Sequence, residues 1–276
     1  MKRAFVAILI LAIGAGAYAA FALRNQGMVH VSAGSATLGY VYYTGLYGPM
    51  PYEVGGFWID RYEVSNADYA AFVGATGHAP QAFYDDSEFN HPAQAVTGVL
   101  HADAVTYCAW AGKRLPSEIE WEKAARGTDG QLYPWGNEAT LEMAKLTGDA
   151  PDMVDTHPAD LSPYGVRNMA GNVAEWVADT REARAGRCLD TNAAPHDATP
   201  EMKRLLADLA AANGGVLPAL CTSPAAVDES IPSEPCAYIK GNSWDGRPHM
   251  TVSSNRLWDY TNSYAEFVGF RCAKGD

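Results

Sequence analysis

Between Tyr164 and Trp176 the chain reads Tyr164-Gly165-Val166-Arg167-Asn168-Met169-Ala170-Gly171-Asn172-Val173-Ala174-Glu175-Trp176. Two glycines, two asparagines and one carboxylate fall within a few residues. Glycine reaches backbone angles that other residues avoid, and asparagine tolerates left-handed geometry. Backbone carbonyls in such a loop, with one or two side-chain oxygens, can ring a hard cation such as calcium. The same residues also make a tight loop whose Asn and Glu satisfy neighbouring backbone groups. Residue types alone leave both readings open. Cysteine is the other reactive type, at Cys108, Cys188, Cys221, Cys236 and Cys272. No C-x-x-C occurs, so neither a thioredoxin-type redox motif nor a zinc ribbon is supported. An odd count leaves one thiol over if the others bridge.

The whole chain sets limits on that chemistry. Its 276 residues suffice for one large core, and 48% hydrophobic content marks it as globular. A formal net charge of −12 disfavours nucleic acid, whose phosphates are bound through Lys and Arg. Lys2 and Arg3 precede an uncharged run from Ala4 to Leu23, with Ala17-Tyr18-Ala19 as a small-x-small cleavage pattern. Residues 1–24 are therefore read as a signal peptide or a retained membrane anchor, with inner-membrane attachment through residues 4–23 in the second case. Either places the body of the protein in the periplasm or outside the cell. Disulfides persist in such compartments.

The elements that must position the loop are short. Strands are expected at Met28–Val31, again at Ala36–Gly39, and entering the core at Gly55–Asp60, with Val41–Pro51 as a surface loop. Ser65 or Asn66 caps a helix that carries Tyr69, Phe72 and Val73 and stops at Gly77. A second helix spans about Ala102–Ala111 and ends at Gly112. Ser117 with Glu120 forms a capping box for a third, closed by Arg126-Gly127. Leu132–Asn137 is an aromatic turn. Thr180–Pro235 is read as an insertion, with a helix begun at Thr199-Pro200 and an apolar stripe of Met202, Leu205, Leu206 and Leu209. Strands at Tyr238–Trp244 and Val268–Cys272 close the chain. The economical division is residues 1–24, then one domain over 25–276 with the cysteine-bearing insertion at about 180–236.

Seven pieces in this order resemble the formylglycine-generating-enzyme, or sulfatase-modifying-factor, domain family. They are Met28–Gly39, Gly56–Asn66, Tyr107–Gly127, Tyr133–Asn137, Tyr164–Trp176, Gly241–Trp244 and Gly269–Cys272. The resemblance implies an α+β, C-type-lectin-like fold with much irregular structure. It implies a disulfide between Cys108 and Cys272. A second bridge is expected among the rest, Cys188–Cys236 at the base of the insertion or Cys188–Cys221. It also implies a calcium site in which Asn168 and Glu175 give side-chain oxygens and Gly171 and Val173 give carbonyls, with Glu63 nearby. The family's second calcium site is expected to be lost, because Lys145 falls where an asparagine ligand would sit.

The family oxidises a sulfatase cysteine to formylglycine with oxygen and a copper ion held by two cysteines. Here the corresponding positions fall near Pro248 and Ser253, neither of which can be a thiolate. Copper is therefore not expected. His249 and Met250 are copper-binding types, but neighbours on a strand point to opposite faces. Two functions remain. One is an extracytoplasmic maturation or oxidation enzyme, of the siderophore-maturation type, with a pocket among Trp244, Arg247, Ser253, Asn255 and Arg256. The other is a binding or accessory protein for a periplasmic enzyme or envelope complex. Its partner would be a periplasmic protein, and the enzyme's substrate a small molecule. No nucleophile–base pair is visible, which leaves catalysis itself undecided, and true formylglycine generation is the weakest reading.

Overall fold

The computed structural model describes residues 27–39, 50–184, 187–188, 235–246 and 251–276. Alternation in Met28-Val29-His30-Val31 builds strand β1 (Met28–Val31), and β2 (Gly34–Leu38) follows one turn later. Strand β3 (Met50–Val54) pairs antiparallel with β2, so Met50 and Pro51 belong to a strand and not to the expected loop. Pro51 lacks an N–H but sits on a two-stranded ribbon, where an unpaired edge tolerates it. Strand β4 (Phe57–Asp60) is the centre of a three-stranded sheet, flanked by β1 and by the C-terminal β10 (Ala273–Gly275).

Helix α1 (Asn66–Thr76) starts at Ser65. The Ser65 hydroxyl accepts the Asp68 N–H and the Asp68 carboxylate accepts the Ser65 N–H. Asn66 is thereby the first helical residue, and its amide donates to the carbonyls of Phe89 and His91 instead. Helix α2 (His101–Trp110) packs beside α1, with Tyr69, Phe72 and Tyr107 in ring contact. Helix α3 (Glu118–Arg126) has the expected Ser117–Glu120 box. Its Trp121, Ala124 and Ala125 are buried against β1, β2 and β4.

The second sheet runs β6 (Arg187–Cys188), β5 (Ala174–Arg184), β7 (Pro235–Lys240) and β8 (Arg256–Tyr260). Strand β9 (Val268–Phe270) pairs parallel with the start of β5. Strand β5 continues four residues past Thr180, so the insertion emerges from the end of a long strand. Strand β8 carries no clear alternation in Arg256-Leu257-Trp258-Asp259-Tyr260, and the sequence reading missed it. Its register against β7 supplies the pairing that its pattern does not announce.

Cys108 and Cys272 are joined, tying α2 to the segment between β9 and β10 inside the core. Cys236 is disulfide-bonded as well. The side chains of Cys188 and Cys221, the two partners weighed from sequence, lie outside the described residues. The expected helix from Thr199 to the Gly214-Gly215 stop and residues 1–24 lie outside the described residues too. No helix among the described residues is long and apolar enough to cross a membrane.

Candidate functional site

The Asn168–Glu175 loop sits on a knot of buried charge. Asn168 and Asn172 are the only non-glycine residues with positive φ among the described ones, at 56° and 69°. Asparagine is the side chain that carries this backbone at least cost. The turn aims both amides the same way. Asn168 Nδ2 donates to Glu63 Oε2 at 2.9 Å and Asn172 Nδ2 to Glu63 Oε1 at 2.9 Å. Glu175 begins β5, and Arg271 reaches it from the end of β9 with a two-pronged contact of 2.6 and 2.7 Å. Trp121 of α3 adds its indole N–H to Glu175 at 2.8 Å. Arg271 also donates to the carbonyls of Asp60, Arg61 and Arg167. Glu175 and Arg271 are both fully buried.

Asp160 closes the loop from the other side. Its carbonyl accepts the Asn168 N–H at 3.1 Å and its Oδ2 accepts the Ala170 N–H at 3.0 Å. Burial pushes the Asp160 carboxyl up to about 7, against the pull of the loop N–H groups and Arg271. Burial raises Glu63 to about 8; Arg271 opposes this and Glu175 adds to it. Both folded values lie above those of an unfolded chain, so the folded state binds more protons between them. Stability contributed by these groups is present at low pH and is lost as pH rises towards 8. Between pH 6.5 and 8, above the histidine range, the metal-free protein is expected to weaken by up to about 1.4 kcal/mol per pH unit for Glu63 alone. Urea denaturation in chelator checks this, and a midpoint that rises over that window would contradict it.

This geometry bears on the calcium ligands expected from sequence. Asn168 is placed for the role, since its Oδ1 is buried without a partner. Glu175 has both oxygens on Arg271, and Glu63 has both on asparagine amides. Gly171 allows close approach of the chain, because a Cβ there would stand 2.5 Å from the Lys145 carbonyl. Gly171→Ala is expected to destabilise by about 1–3 kcal/mol through overpacking, read by chemical denaturation. Lys145 itself points its ammonium at Asp152, at 3.2 Å. No group of three His, Cys, Asp or Glu side chains among the described residues is arranged to hold a metal. A cation here would therefore rely on amide and carbonyl oxygens as well as a carboxylate.

The pocket candidates that the structure describes have these surroundings. Trp244 is nearly buried, lies against Phe89 with ring centroids 6.1 Å apart, and leaves its indole N–H without a partner. Ser253 is buried too, its N–H held by the Leu132 carbonyl and its hydroxyl unpartnered. Arg256 instead forks onto Glu118 at 2.5 and 2.6 Å and stacks on Tyr238. It lines a cavity of about 160 Å³ with Glu118, Asp179, Tyr52 and Ser254. Burial raises the Asp179 carboxyl, opposed by the Glu118 N–H that it accepts. Asn255 is buried beside this segment, and Arg247, Pro248, His249 and Met250 lie outside the described residues. Beneath the cavity, burial pushes Glu122 upward, but Lys240, Arg126 and the Gly39 N–H together hold its carboxyl below the usual range. Sequence reading missed Arg271, Asp160 and Lys240. Only the Glu122–Arg126 pair carried a signal, its four-residue helical spacing.

Residues 17–275 match the model of the sulfatase-modifying factor enzyme 1-like domain. A formylglycine-generating enzyme of Mus musculus is 34% identical over 185 residues, covering 46% of this chain and 50% of that protein. A hercynine oxygenase of Mycolicibacterium thermoresistibile is 34% identical over 160 residues, covering 45% and 36%. The chain spans about half the length of the first of the curated relatives it matches. Among solved structures, PvdO of Pseudomonas aeruginosa superposes with a TM-score of 0.61 at 24% identity, covering 90% of this chain and 94% of that one. CarF superposes at 0.57 with 16% identity, covering 90% and 98%. These two establish the fold, an α+β arrangement of mixed sheets and few helices.

Proposed function

Because the chain belongs to the sulfatase-modifying factor enzyme 1-like domain family, we propose that it is a divergent oxidase-type enzyme of the periplasm that works without a copper–thiolate pair. The observation that carries this reading lies between β7 and β8. That segment contains no cysteine, yet it keeps two buried polar groups, Trp244 Nε1 and Ser253 Oγ, with no partner among the described residues. An unsatisfied buried donor costs about 1–3 kcal/mol, and a bound substrate would recover it. Trp244 Nε1 would donate to a substrate oxygen, and Ser253 Oγ would donate or accept beside it. The name of the hercynine oxygenase relatives marks oxygen chemistry in proteins of similar sequence. The substrate class is a small secreted metabolite, as in siderophore maturation.

The test is metal analysis of the periplasmic protein, an assay on a sulfatase-type cysteine peptide, and oxygen uptake with peptide siderophore precursors. Oxygen uptake without stoichiometric copper supports the proposal, and formylglycine in the peptide overturns it. A second reading, a binding or accessory protein, draws on Arg256. Its guanidinium is committed to Glu118 and Tyr238, so the cavity beside it offers a filled wall. Substrate-independent capture of one periplasmic enzyme, with no oxygen uptake, would favour that reading.

The Asn168 loop belongs to the same proposal as a structural calcium site. Its orphaned amide oxygen suits a hard cation, and calcium there would fix the loop that leads into β5. Calcium at a hundred times its dissociation constant is expected to stabilise the protein by about 2.7 kcal/mol, and chelator to remove that gain.

A further inference from the structure

Several buried side-chain atoms among the described residues lack a partner, but only two of them are pure acceptors. They are Asn168 Oδ1 and Asp160 Oδ1. The others are hydroxyls, which can turn, or N–H groups, which need an acceptor. Both acceptors belong to one loop closure, since Asp160 accepts backbone N–H groups from Asn168 and Ala170. Both residues are almost wholly buried, at 1% and 2% exposure.

Charge points the same way. Asp160, Glu63 and Glu175 place three carboxylates around the single guanidinium of Arg271, which contacts Glu175 at 2.6 Å and Glu63 at 4.0 Å. A water molecule would satisfy the two oxygens. A divalent cation would satisfy them and also balance these carboxyls wherever they ionise beyond what Arg271 pairs. The available donors are all oxygens, which suits calcium over a transition metal, and magnesium would resist losing its waters in so enclosed a loop.

We propose that Asp160 supplies the carboxylate ligand of the calcium site, through Oδ1 and together with Asn168 Oδ1, while Glu175 stays paired with Arg271. The inference rests on the calcium reading above and changes its ligand set. Asp160 stands eight residues ahead of the asparagine and was not among the residues expected from sequence. Its Oδ2 holds the loop N–H while its Oδ1 faces the ion, so one side chain both shapes the site and charges it.

The full mature protein is titrated with calcium by calorimetry, and by displacement of terbium read through tryptophan-sensitised luminescence. Asp160→Asn keeps an oxygen for the Ala170 N–H and is expected to fold, with unchanged circular dichroism, while calcium affinity falls at least tenfold. Should that variant fold poorly, a crystal structure of the wild type with calcium decides. An ion about 2.3–2.6 Å from Asp160 Oδ1 is expected. A water in that position, or an ion held by Glu175 and not by Asp160, overturns the inference. Equal calcium affinity in wild type and folded Asp160→Asn overturns it too and leaves the calcium reading standing. No binding by the wild type removes both.

Discussion

Replacing Arg271 by methionine is expected to cost about 3–5 kcal/mol, the usual penalty for stripping one partner from a buried ion pair. The guanidinium satisfies both oxygens of Glu175 and three backbone carbonyls, and every one of these groups is buried or partly buried. Burial works against its charge, but Glu175, Glu63 and Asp60 outweigh burial and raise its pKa. Methionine fills much of the volume and removes the charge, leaving Glu175 with the Trp121 N–H alone. A domain stable by about 5–15 kcal/mol would lose a large share of that margin. Urea denaturation of Arg271→Met measures the loss. Adding Glu175→Gln is expected to restore part of it, because the uncompensated carboxylate goes with it. A single variant within 1 kcal/mol of wild type would show that the knot of charge does not hold the fold.

The second large effect is covalent. Cys108 and Cys272 are 164 residues apart, so their bridge closes most of the domain. Exchanging both for serine is expected to destabilise by about 2–5 kcal/mol, chiefly by freeing the unfolded chain. Both sulfurs are fully buried among Tyr69, Tyr107 and Phe270, so the two hydroxyls would add a desolvation cost. Thermal unfolding of the double variant beside the oxidised and reduced wild type tests this. A midpoint equal to that of the oxidised wild type would mean that the bridge adds nothing.

Much of the local structure was legible in the sequence because it depends on neighbours in the chain. The Ser117–Glu120 box, the stop at Gly77 and the alternation of β1 each rest on contacts within four residues. The α+β scaffold was legible through the ordered landmarks from Met28 to Cys272. Strand β8 was not, because Arg256–Tyr260 has no amphipathic alternation and owes its conformation to pairing with β7. Cysteine spacing alone left Cys236 two possible arrangements, and that it is bonded at all is a result of packing. The partners of Trp244 and Arg256 were not legible either, because Phe89 and Glu118 come to them from distant parts of the chain.

The loop at Asn168 shows the division most clearly. Sequence by itself determined its conformation, since asparagines and a glycine are what a positive-φ turn and a close chain contact require. It also determined that no thiolate pair follows Trp244. It could not determine which charges surround the loop. Arg271 reaches Glu175 across 96 residues, and Asn172 reaches Glu63 across 109. Turn geometry is set by each residue's own torsions, whereas the partner of a buried charge is set by the packing of distant elements, where a carboxylate removed from water takes whichever cation or donor the fold brings to it.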